Sequence, residues 1–296
     1  MRSIRTDHAG WCFRRRLIAS VAVFAIALGT AAAQAPVVPT DHYGPPSCTG
    51  VKPRSTAEPS KADTARQEQE RGAQDPHALV SAEPLENFEI ERYRLADYGD
   101  CIGNGGCYWA DLDAQYKRAE GALALEIARA RHGEKLALVM DIDETTLSSY
   151  CEMKRMDFGY IAGMSNEWVV TPEAAVAIPG ALRLFNQAKG AGVAVFFITG
   201  RPGVADPASG HSDGNQTEAT GRNLEAAGFR GWAGLALRNG PENGMPTIQY
   251  KSEERRRIAE KGYRIILSVG DQWSDLLGEP KAAVSVKLPN PFYFLP

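Results

Sequence analysis

The chain has 296 residues, is 44% hydrophobic and 23% charged, and carries a formal net charge of −3 from 33 Lys and Arg against 36 Asp and Glu. That length holds one domain with a sizeable core and a small accessory element. The mild acidity argues against a nucleic-acid groove or an anionic membrane surface as the main partner.

Three arginines, Arg14 to Arg16, precede an apolar run from Leu17 to Leu28 that passes through Gly29 and Thr30 into Ala31, Ala32 and Ala33. A charged start, a short apolar core and an A-x-A exit predict a signal peptide over 1–33 rather than a retained anchor, because the apolar core is shorter than the roughly 20 residues that span a bilayer. Export to a periplasm or outside the cell follows, with no stable membrane insertion after cleavage. Residues 1–33 hold five arginines and one aspartate, so the remaining chain carries −7. Residues 34–82 are rich in Pro, Ala, Ser, Thr and charge, with almost no aromatics, and predict a disordered linker; 83–296 then form the folded domain.

Past the leader, Cys48, Cys101, Cys107 and Cys151 make an even set in an oxidising compartment. The glycine-rich stretch between Cys101 and Cys107 suits a short closed loop, so this pair is the favoured disulfide. A zinc site is the rival reading, with no C-x-x-C or histidine cluster to support it.

Within the domain, Leu112, Tyr116, Ala119, Leu123, Ile127 and Ala130 recur at helical spacing, so the periodicity predicts a helix over 112–131 that ends at Gly133. An unbroken apolar run, 136–142, predicts a buried strand, and Pro179 opens a helix running toward Gly190. Strand 193–198, helix 216–227, strand 235–237, helix 251–261 and strand 263–269 follow. Strands buried on both faces and alternating with helices predict an α/β fold with a doubly wound parallel sheet. In such a sheet ligands bind beyond the carboxyl ends of the strands.

Polar residues gather at those ends: Asp141-Ile142-Asp143-Glu144-Thr145 after the first strand, Thr199-Gly200-Arg201 after the second, and Gly270-Asp271-Gln272-Trp273-Ser274-Asp275 after the last, with Lys251 at a helix start. A carboxylate nucleophile is repelled by a dianionic phosphoryl group unless a divalent cation intervenes. Asp141, Asp271 and a bound Mg²⁺ supply that arrangement, and hard oxygen ligands without a His or Cys cluster suit magnesium. Asp141 would attack phosphorus in line. Asp143 would protonate the leaving alcohol and then take a proton from water. Thr199, the Gly200 amide and Lys251 would hold the transferring oxygens, and Asp275 would orient Lys251 or metal-bound water. The bland alternative makes Asp141 and Asp143 turn and cap residues and Thr199-Gly200 a strand-ending turn. It leaves several acids on one rim with nothing to neutralise them.

Those stretches, with Phe197 to Pro202, Tyr250-Lys251-Ser252 and Lys287 to Tyr293, resemble the haloacid dehalogenase superfamily, and within it the secreted acid phosphatases of class B and class C and the plant storage-protein-like group. The resemblance runs from about residue 85 to 296. It implies a Rossmann-like fold with a small, mainly helical cap, magnesium-dependent hydrolysis of small phosphomonoesters, possible use of nucleotides, and ligation of the metal by the Asp143 backbone carbonyl as well as by Asp141 and Asp271. It also singles out Lys251 from its charged neighbours Glu253 to Arg257, which otherwise read as a solvated face.

Tyr150, Phe158, Tyr160 and Trp168 are candidate substrate-pocket aromatics, of which Tyr150 and Trp168 are carried forward; packing of the cap is the rival reading. The loop from Pro202 to Gln216, with Asp206, His211 and Asp213, is a candidate lid or a polar surface insertion. Phe292-Tyr293-Phe294 is assigned to packing. Two other functions remain open: phosphotransfer to an acceptor alcohol, and a non-enzymatic storage or binding protein, which the resemblance associates with loss of the nucleophile that this chain keeps. The oligomeric state and the pairing of Cys48 and Cys151 are open.

Overall fold

The structure is a computed structural model that describes residues 60–82, 85–103, 105–204 and 215–295. The predicted leader, the linker up to residue 59, Cys48 and the loop residues Asp206, His211 and Asp213 lie outside them.

Five strands form one parallel sheet: β1 Lys135–Met140, β2 Ala194–Pro202, β3 Gly234–Arg238, β4 Tyr263–Gly270 and β5 Val284–Lys287, in the order β3-β2-β1-β4-β5. The order runs outward in both directions from β1, so the crevice beyond its carboxyl end is the place where a doubly wound sheet binds ligands. The strand period of two divides the apolar run. Leu138 and Met140 join Tyr116 and Leu123 of α3 (Tyr108–Ala128) and Leu184 and Phe185 of α6 (Pro179–Gly190) in one core, while Ala137 and Val139 pack with Tyr250 and Ile258 of α8 (Thr247–Glu260) in a second. The predicted strands and helices of this frame are all present, with ends shifted by up to four residues.

Between β1 and α6 lies the helical cap, α4 Tyr150–Arg155 and α5 Ala162–Val169. It is tied to α7 (Gln216–Ala226) by Asn223, whose amide donates to the Val169 carbonyl at 3.0 Å and the Thr171 carbonyl at 2.9 Å. Among the described residues no helix is long and apolar enough to cross a membrane.

Two further helices precede the sheet, α1 Lys61–Ala73 and α2 Phe88–Asp100. The first lies within 34–82, where composition predicts a linker. Its polar sequence buries little more than Ala62, but Ser60 caps it by accepting from the Asp63 N–H and anchors it to α2 by donating to the Asp97 carboxylate at 2.6 Å. Cys101 and Cys107 form the expected disulfide, which excludes zinc at that pair. Gly103 and Gly106 take positive φ inside the loop it closes, a conformation costly for other residues. Cys151 is disulfide-bonded as well.

Candidate active site

β1 delivers Asp141 to the rim, and its N–H donates to the Val269 carbonyl of β4 at 3.0 Å, so the parallel ladder runs up to the acid itself. Thr145 locks the turn that follows: its hydroxyl accepts from the Asp271 N–H and donates to Asp271 Oδ1, both at 3.0 Å, joining the ends of β1 and β4. Tyr116 reaches up from α3 to hold the Thr145 carbonyl at 2.5 Å. The turn takes a left-handed residue at Glu144, φ 51°.

Lys251 of α8 donates to Asp141 Oδ1 at 2.6 Å and also to Asp275 Oδ1. All three are buried. Asp141, Asp271 and Asp275 bring carboxylate oxygens within 4.8 Å of one another. Burial drives Asp141 well above the usual carboxylate range against the pull of Lys251, with Asp275, Asp271 and Asp143 adding to the effect. Asp275 is raised for the same first reason, whereas Asp141 and Asp275 outweigh burial to keep Lys251 protonated. Three carboxylates around one ammonium leave an excess of negative charge, and a hard divalent cation held by oxygen ligands fits that donor set.

Asp143 stands apart from this cluster. Arg201, at the end of β2, clasps it with Nη2 at 2.6 Å from Oδ1 and Nε at 3.0 Å from Oδ2, while Thr199 approaches Oδ2 at 3.4 Å. Burial acts upward on its carboxyl, but the guanidinium outweighs it and holds Asp143 below the usual carboxylate range. The side chain expected as a proton donor is therefore an anion in this arrangement. Its pairing with Arg201, 58 residues away, has no local signal in the sequence. Gly200 borders open space, since a Cβ there meets nothing within 4 Å.

The candidate pocket aromatics divide. Tyr150 is fully buried, with its ring against Trp109 and Phe292 and its hydroxyl on Asp100 at 2.7 Å, so it packs the cap and cannot stack on a substrate. Trp168 is half-buried on α5, and among the described residues no hydrogen bond of its side chain joins it to the acids. Tyr160 is 72% exposed. Arg255 departs from the solvated face: it is fully buried and binds the Asp275 carbonyl at 2.8 Å and the Pro280 carbonyl at 2.8 Å, fixing the loop after β4. Glu144, also missed, is buried and accepts from Tyr108 at 2.6 Å and from the Ser149 N–H; burial pushes its carboxyl up to about 7.

A family model described as HAD superfamily, subfamily IIIB (acid phosphatase), matches residues 64–296. Acid phosphatase 1 of Solanum lycopersicum is 35% identical over 159 residues, 53% of this chain and 58% of that protein. Vegetative storage protein 1 of Arabidopsis thaliana is 30% identical over 162 residues, 53% of this chain and 55% of that protein. The chain thus spans a little over half the length of these relatives. In fold it is similar to the class C acid phosphatase from Bacillus anthracis crystallised with tungstate bound, at a TM-score of 0.51 and 23% identity over 68% of this chain and 84% of that one.

Proposed function

The chain belongs to the HAD superfamily, subfamily IIIB, the acid phosphatases, and from that membership we propose that it hydrolyses small phosphomonoesters by passing the phosphoryl group through Asp141. The observation that carries the reading is the buried Asp141 carboxylate at the end of β1, paired with Lys251 and grouped with Asp271 and Asp275.

An oxygen of Asp141 attacks phosphorus in line with the ester oxygen, whose bond to phosphorus breaks. The departing alkoxide takes the proton of Asp143. Water then attacks the aspartyl phosphate, gives its proton to the Asp143 carboxylate and releases inorganic phosphate, restoring Asp141. For the first step Asp143 must be protonated and turned away from Arg201. Because Arg201 holds that carboxyl below its usual range, the step is favoured at acidic pH. Thr199, the Gly200 N–H and Lys251 hold the phosphoryl oxygens, and Asp275 positions Lys251. Asp141, Asp271 and the Asp143 carbonyl would hold Mg²⁺, which supplies the positive charge that lets an anionic nucleophile approach a phosphate dianion.

A screen of aryl, sugar and nucleoside phosphates with the full chain, in Mg²⁺ and then with excess chelator, tests the reading. Hydrolysis that chelation abolishes and Mg²⁺ restores is expected. No turnover of any ester favours a storage role, the name carried by the Arabidopsis relative. Phosphorylated glycerol formed in glycerol-containing buffer identifies transfer to an alcohol. Export with cleavage after Ala33 belongs to the same proposal, and amino-terminal sequencing that recovers Met1 from the extracytoplasmic fraction overturns it.

A further inference from the structure

After β5 the chain returns across the carboxyl edge of the sheet, with the Leu288 N–H on the Gly270 carbonyl at 2.9 Å. Two side chains of this return reach the groups to which the proposed reading gives the cation. Asn290 Nδ2 donates to Asp271 Oδ2 at 2.6 Å, beside Gln272 Nε2 at 2.8 Å. The Tyr293 hydroxyl donates to the Asp143 carbonyl at 3.4 Å. The segment is held from both sides: Gln272 binds the Tyr293 carbonyl at 3.3 Å and accepts from the Leu295 N–H at 3.2 Å, while Phe292 sits among Tyr108, Tyr150 and Phe158. Asn290 also accepts from the Phe292 N–H at 2.8 Å, so one amide both shapes the turn and donates to the acid.

We infer that Asn290 and Tyr293 are positioning residues for the divalent cation, fixing the Asp271 carboxylate and the Asp143 carbonyl from outside. A carboxylate near a like-charged cluster swings away unless donors hold it. Asp271 is fixed on Oδ1 by Thr145 and on Oδ2 by Gln272 and Asn290, so its orientation is set before any cation arrives. The packing role expected for the aromatic run fits Phe292, but Tyr293 faces the site.

The inference rests on the proposed cation site, and the test separates the two. Mn²⁺ alone is titrated into the full chain and the free ion is read by electron paramagnetic resonance, with Mg²⁺ as competitor. Asn290→Ala is expected to weaken Mn²⁺ binding by about tenfold or more. It should also raise the half-saturating Mg²⁺ concentration for turnover by a similar factor, with kcat at saturation nearly kept. Tyr293→Phe is expected to show a smaller shift of the same sign. Phe292→Leu is expected to lower the Tm and leave Mn²⁺ affinity unchanged. If Asn290→Ala does not fold, Asn290→Ser keeps an acceptor for the Phe292 N–H yet falls short of Asp271, and should show the same loss of affinity. Wild-type affinity in the Asn290 variant, or an equal loss in Phe292→Leu, overturns the inference. Wild-type Mn²⁺ affinity in Asp271→Asn overturns the cation site itself.

Discussion

On one side of the end of β1, a single lysine serves two buried carboxylates, Asp141 and Asp275; on the other, Nε and Nη2 of one guanidinium clasp Asp143 while its Nη1 donates to Thr220. The ammonium is a compact point charge and leaves the first cluster short of positive charge, whereas the planar fork of Arg201 satisfies both oxygens of its partner. Burial alone pushes both carboxyls upward, and the partner decides the outcome: Asp141 ends well above its ordinary range and Asp143 below it. Two acids two residues apart thus sit in opposite electrostatic settings, which suits the different work the proposed mechanism gives them, Asp141 as nucleophile and Asp143 as acid.

The strongest break of this contrast is Asp141→Asn, which removes the proposed nucleophile; kcat is expected to fall by at least about 10³-fold for every substrate, measured by phosphate release. Asp143→Asn leaves Asp141 and the backbone carbonyl in place. Rapid-quench measurement should then show a burst of phenol with an activated aryl phosphate and none with a nucleoside phosphate, the latter slowed by about 10²–10⁴-fold. Equal proportional losses of the first step for both would remove the acid–base role. Arg201→Met sharpens the comparison further: with the guanidinium gone, burial is left to raise the Asp143 carboxyl, and the optimum of kcat/KM for alkyl phosphates should move to higher pH while that for aryl phosphates stays nearer its place.

Glu144 provides a smaller effect on stability. Its carboxyl is raised from an ordinary 4.5 to about 7, so its contribution is fully present below the unfolded value and is lost as pH rises through the folded one. The loss amounts to about 3 kcal/mol between about pH 4 and about pH 8. Glu144→Gln should flatten that part of the stability profile, read by urea unfolding across pH. Reduction of Cys101–Cys107 touches neither acid; it should lower stability by about 2–4 kcal/mol and leave kcat nearly unchanged.

The frame of the sheet was readable because unbroken apolar runs bounded by glycine mark buried strands, and because acids gathered at the ends of several strands need a partner to neutralise them. What was not readable depends on partners far along the chain. Tyr150 follows Asp141 closely and looks like a pocket residue, yet Trp109 and Phe292, contributed by α3 and by the segment after β5, enclose it. Arg201 was visible as part of a strand-end cluster, but its hold on Asp143 was not. β5 escaped because four residues, among them Lys287 and the exposed Ser285, show no apolar run. α1 escaped because one buried alanine and one capping serine are too little to alter a polar composition.

Those distant partners also bear on how activity is acquired during folding. The contacts that define the rim close loops of 110 residues between Asp141 and Lys251, 126 between Thr145 and Asp271, and 150 between Asp143 and Tyr293. The entropy of such closures must be paid before any contact rewards it, and contacts so distant along the chain slow folding. The rim is complete only when all of these loops have closed, so the proposed hydrolysis is expected to be the latest property to return on refolding. Far-ultraviolet dichroism should recover first, core fluorescence next, and turnover last.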